Sequence, residues 1–189
     1  MTPSMTAADF MVLLPALLSL VGGLYLLSIY VLWPRRTIPL ATVCSVSAFI
    51  VFLSCFINFK ENYFGFSHLF AFDSYARFIL ILLSLIVGMV AWFSPRYLAT
   101  RPLHQGEYYA LLLFTLCGMA VMVQSLHLIG VLIGLEIFSF SLYILVGLFR
   151  EKVRAIEASM KYLLLGTFAS AFFLYGAALI YGTVGSLYL

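Results

Sequence analysis

Charged residues are what this sequence has least of. Only 9% of its 189 residues are Asp, Glu, Lys or Arg, and 65% belong to the hydrophobic set, whereas a typical soluble domain carries about 25% charged residues. A soluble globule cannot hide that much apolar surface, so a water-soluble fold is excluded. The formal net charge of +3 is small and its cations are scattered among apolar runs, which excludes a nucleic-acid-binding surface. The three cysteines, Cys44, Cys55 and Cys117, form no CxxC pair, lie within apolar segments and are odd in number, so they read as buried thiols. His68, His104 and His127 are far apart and lack HxxxH or Cys partners, which argues against a metal site. GxGxxG, P-loop, CxxCH and hydrolase-elbow patterns are missing, so the chain is expected to bind no cofactor and hold no redox centre. No Lys or Arg precedes the first apolar run, and that run exceeds a signal-peptide core of about 7 to 15 residues, so it is expected to stay in the mature protein.

What is there is a series of apolar runs of about twenty residues, the length a bilayer requires. Within hydrocarbon every backbone polar group must be satisfied internally, so such runs predict transmembrane helices. Six are expected, at about 10–32, 38–59, 75–92, 107–123, 128–149 and 155–181. The first stops at Trp33, Pro34, Arg35 and Arg36, an interfacial indole followed by a helix breaker and two cations. A more polar stretch at about 60–73 precedes the third helix, and a loop at about 94–105 follows it. Only Gln124 to His127 separates the fourth helix from the fifth, which predicts a tight helical hairpin.

Cations mark one side of the membrane. Arg35 and Arg36, then Arg96 and Arg101, then Arg150, Lys152 and Arg154 fall in alternate loops, and cytoplasmic loops are enriched in such residues. The N-terminus is therefore expected outside, and after six crossings the C-terminus outside too. Near the opposite side, Arg77 is expected to pair with Asp73, four residues earlier on the helix.

Two ionisable residues fall inside predicted spans: Glu136 on the fifth helix and Lys161 on the sixth. A central Asp or Lys costs about 2.5 to 3.5 kcal/mol on insertion scales, so such groups normally face a protein interior, a partner charge or water. At about 1.5 Å per residue, Glu136 lies roughly 12 Å from the outer end of its helix and Lys161 roughly 9 Å from the inner end of the next. The axial gap of roughly 10 Å in a core of about 30 Å argues against a direct ion pair. Burial disfavours the charged form of an acid or amine and a nearby opposite charge favours it, so moving a partner moves a proton. That is the chemistry of a proton relay. The bland alternatives are a neutral packing acid at Glu136 and a lysine that snorkels to the interface at Lys161. Gly130 and Gly134, and then Gly166, Ser170, Gly176 and Ala177, read as small residues for close helix packing.

The stretches Glu107-Tyr-Tyr-Ala-Leu-Leu-Leu-Phe, Gly118-Met-Ala-Val-Met-Val, Gly134-Leu-Glu136-Ile-Phe-Ser-Phe-Ser-Leu-Tyr-Ile-Leu-Val and Glu157-Ala-Ser-Met-Lys161-Tyr-Leu-Leu-Leu-Gly resemble the N subunit of bacterial NADH-quinone oxidoreductase. The mitochondrial counterpart of that subunit is chain 2 of respiratory complex I. The resemblance implies an all-α membrane protein forming the front part of an antiporter-like subunit of about fourteen helices. Residues 1–106 would supply three N-terminal helices, and residues 107–189 the start of a proton-translocating repeat that is incomplete in this sequence. It implies, further, that Glu136 and Lys161 are proton-relay groups and that the partners are other membrane subunits of complex I, or a separate chain supplying the missing helices. NADH, flavin, iron-sulfur clusters and quinone would be bound by other parts of the complex, and the location would be the bacterial inner membrane. Two rival expectations are a subunit of a multisubunit cation/proton antiporter and a scaffold chain without a complete proton path.

Overall fold

The computed structural model describes residues 7–32, 40–56, 63–66, 68–99 and 105–189; Trp33 to Arg36, Lys60, Glu61, Arg101 and His104 lie outside them. Six helices follow the six apolar runs: α1 Ala7–Leu32, α2 Leu40–Ser54, α3 Ser74–Ala99, α4 Gln105–Gln124, α5 Leu128–Val146 and α6 Val153–Val184. All but α2 are long and apolar enough to cross a membrane. The 15 residues of α2 reach about 22 Å, short of a core of about 30 Å. Its expected start lies outside the described residues. Its end comes earlier than the expected 59, because Cys55 and Phe56 donate to the Phe52 and Leu53 carbonyls three residues back and so tighten the last turn.

Two further expectations are corrected. The loop placed at about 94–105 begins late, since α3 runs through Pro95 to Ala99. Proline supplies no N–H to the Ala91 carbonyl, but Ser94 Oγ bonds the Val90 carbonyl and meets the Tyr108 hydroxyl at 2.9 Å, which ties the helix across the break. The stretch at about 60–73, read only as more polar with no strand assigned, contains an antiparallel hairpin of β1 Tyr63–Gly65 and β2 Phe70–Phe72. Tyr63 faces Phe72 and Gly65 faces Phe70 across it. Phe66 and His68 turn the chain with positive φ of 51° and 67°, a conformation uncommon outside glycine. The Asp9 carboxylate of α1 holds this turn by accepting the Phe66 N–H.

Helix α4 sits at the centre, packed against α1, α2, α3 and α5. Leu113, Leu116, Tyr109 and Ala120 on α4 are buried, together with Leu26 of α1, Val51 of α2 and Leu80 of α3. The short link to α5 is the tight turn expected from the sequence. At that end of the bundle the chain segments are laced by backbone bonds: Leu126 N–H to Leu69 O at 2.9 Å, Leu128 N–H to Leu187 O at 3.0 Å and Leu189 N–H to Leu126 O at 2.9 Å. At the other end Arg150 meets Glu107 at 3.1 Å, joining the α5–α6 turn to the start of α4.

Candidate functional site

Glu136 lies near the middle of α5, and what places it is a pair of glycines. A methyl added to Gly118 of α4 would come 2.4 Å from the Phe138 nitrogen, and one added to Gly134 would come 2.5 Å from the Met122 nitrogen. Two helix backbones therefore touch, as small residues at a membrane interface permit. Gly130 instead faces Ser125, whose Oγ would lie 2.2 Å from an added methyl. The flank of α5 beside this contact turns Glu136, Ile137 and Ser141 toward α1, where they line an open cavity of about 650 Å³ with Leu13 and Leu17 of α1 and Cys117 of α4; Leu17, Ile137 and Phe140 on its rim are exposed at the surface of the bundle. Glu136 is half-buried there. The walls are otherwise almost wholly apolar, and no cation among the described residues pairs with the carboxylate. Ser141 spends its hydroxyl on the Ile137 carbonyl one turn back, at 2.9 Å.

Lys161 is placed differently. Its side chain is 69% exposed and pairs with Glu157 one turn back on α6. The structure does not bring Glu136 and Lys161 together: one faces the α1–α4–α5 cavity, the other the open flank of α6. That helix is held to α5 near its start and middle. Ser159 Oγ donates to the Tyr143 carbonyl at 2.8 Å, the Tyr143 and Tyr162 rings meet edge-on at 4.8 Å, and the Tyr143 hydroxyl occupies the place a Cβ on Gly166 would need. Gly166 is thus a packing glycine and Ala177 is buried, whereas Gly176, read from the sequence as another packing position, has nothing within 4 Å.

Arg77 is buried, 2% exposed, with its guanidinium carbon 5.1 Å from the centre of the Phe72 ring. Asp73 uses a carboxylate oxygen to cap α3, accepting the Ala76 N–H at 2.8 Å, while its carbonyl accepts the Arg77 N–H at 3.0 Å. Sequence reasoning passed over the α1 wall of the cavity and the cap that His127 places on α5. The wall carries no polar signal; the cap had one, a polar residue just before an apolar run.

A family described as "NADH:quinone oxidoreductase/Mrp antiporter, TM" matches residues 125–189, the segment that holds both Glu136 and Lys161. NADH-quinone oxidoreductase subunit N 1 of Chloroherpeton thalassium is 35% identical over 182 residues, 96% of this chain and 38% of that one. Subunit N of Nitrosomonas europaea is 40% identical over 137 residues, 72% of this chain and 28% of its own. The chain is similar to N subunits over part of their length. That part is about 38% where the match runs nearly end to end on this side. Respiratory complex I from Thermus thermophilus with bound aureothin contains a chain of the same fold, at a TM-score of 0.74 and 27% identity over 93% of this chain and 38% of that chain. An archaeal membrane-bound sulfane sulfur reductase also matches in fold, with a TM-score of 0.77 and 21% identity over 96% of this chain and 38% of that one. With its apolar helices the chain is a multi-pass membrane protein, and the relatives it matches are subunits of an enzyme complex.

Proposed function

We propose that this chain works in the membrane arm of NADH-quinone oxidoreductase and contributes to proton translocation coupled to quinone reduction, with Glu136 and Lys161 as proton-relay groups. The observation that carries the reading is a half-buried carboxylate in mid-span, facing a cavity between three helices. A charge at that depth is retained at a cost of about 2.5 to 3.5 kcal/mol, and proton paths are a use that requires it. Lys161 fits the same reading if the length present in the relatives and not in this sequence packs against the open flank of α6, where the lysine would lie among helices. On this proposal residues 107–189 begin the translocating repeat, and NADH, flavin, iron-sulfur clusters and quinone belong to other subunits. The membrane is the bacterial inner membrane, with the hairpin end and the N-terminus outside, because Arg96, Arg150, Lys152 and Arg154 gather at the opposite end.

The test is Glu136→Gln in the assembled complex, reading proton uptake into membrane vesicles against NADH oxidised. Fewer protons moved per NADH is the expected result; an unchanged ratio removes Glu136 from the relay. A second reading, a cation/proton antiporter subunit, is favoured by the matched family's description, which spans both kinds of protein. Sodium-driven proton movement in vesicles without NADH would select it.

A further inference from the structure

His127 is the residue around which the hairpin end of the bundle closes. Its ring Nδ1 accepts the Ile129 N–H at 3.3 Å and so caps the N-terminus of α5. Its backbone N–H donates to Ser125 Oγ at 3.2 Å, and the Ser125 hydroxyl donates to the His127 carbonyl at 2.8 Å. The imidazole meets the Tyr188 ring edge-on at 5.1 Å, and the same two residues form a backbone bridge. The ring is half-buried, within reach of water.

We propose that His127 is a protonation-sensitive cap on α5. Nδ1 accepts a hydrogen bond only while the ring is neutral with its proton on Nε2, and protonation turns both nitrogens into donors. The cap is then lost, and a positive charge sits where the unsatisfied amides of a helix start already carry about half a positive charge. The first turn of α5 therefore holds while the ring is neutral and loosens once both ring nitrogens carry protons. Glu136 lies about 13 Å farther along the same helix.

The groups that face His127 leave the assignment clean. The closing segment presents the ring of Tyr188; α4 ends in uncharged Gln124; the hairpin, joined through Leu69 and Leu126, carries His68; α5 itself carries Glu136 as its acid. His68 is the one other imidazole on this end among the described residues. Its positive φ of 67° suits asparagine, so His68→Asn removes its titration while keeping the turn.

The experiment is amide hydrogen exchange of the α5 N-terminal segment, measured as protection factors at pH 8 and pH 5 on the full chain in lipid nanodiscs, with His68→Asn as background. Protection with His127 present should fall about fivefold or more on acidification, the loss of a typical cap. With His127→Asn, which caps through an amide oxygen that does not titrate, protection should stay equal at the two pH values. A flat profile with His127, or an equal fall with His127→Asn, overturns the proposal. The readout does not depend on proton transfer at Glu136, so a negative result here leaves the pumping reading standing, and a negative result for Glu136→Gln leaves the cap standing.

Discussion

Helices α4 and α6 are alike in sequence character and opposite in surroundings. Both are long, apolar and uninterrupted by proline, yet 56% of the most apolar window of α4 is buried inside the protein against 6% of that of α6. Apolar composition states which solvent a membrane helix tolerates; it does not state whether lipid or protein surrounds it. The glycines draw the same contrast. Gly118 of α4 lies against the backbone of α5, whereas Gly176 and Gly182 of α6 meet nothing within 4 Å.

The largest effect is expected where two backbones touch. Gly118→Ala should destabilise the protein by about 2 to 3 kcal/mol, seen as a lower Tm in detergent, because the contact at 2.4 Å leaves α5 nowhere to go; an unchanged Tm would break the comparison between the helices. Next comes the tie between α1 and the hairpin. Asp9→Ala removes a charge-assisted acceptor from the Phe66 amide, a loss of about 1.5 kcal/mol, and faster proteolysis within residues 63–72 is the matching readout. On the open side, Gly182→Ala should not destabilise at all and should add up to about 1 kcal/mol by reducing the freedom of the unfolded chain; a drop in Tm would reveal a neighbour on that flank. The smallest change is expected for Lys161→Met in the chain by itself, within about 0.5 kcal/mol, since an exposed ion pair one turn apart contributes little. In the assembled complex the same substitution should reduce protons moved per NADH. If stability and pumping were both untouched, Lys161 would be left as a surface group.

The six helices were legible because runs of about twenty apolar residues have one backbone solution in lipid. The hairpin was not. Its strands are three residues each, too short for alternation to register, and their stability comes from Asp9, far away in the chain. The helical stretch beyond Pro95 was hidden for a related reason: a proline reads locally as a stop, and the Ser94 and Tyr108 hydroxyls that hold the helix past it come together only after α3 and α4 pack. At the candidate site, Glu136 could be singled out as an acid in mid-span, but the cavity it faces is built from Leu13, Leu17 and Cys117, residues with no chemical signature. The exposure of Lys161 was only weakly legible: Glu157 stands one turn before it on the same face of α6, but such a pair does not say whether that face meets protein or lipid.

The Tyr143 hydroxyl seated over Gly166 acts as a peg. Sliding α6 lengthwise by one turn would bring Tyr162 or Ser170 under that hydroxyl, and neither leaves the room that the missing Cβ of Gly166 does. Swinging about the peg is opposed as well, by Ser159 on the Tyr143 carbonyl before it and, after the helix ends, by the bonds that join Leu187 and Leu189 to Leu128 and Leu126. Both the level at which Lys161 stands and the direction it faces are thereby set from α5.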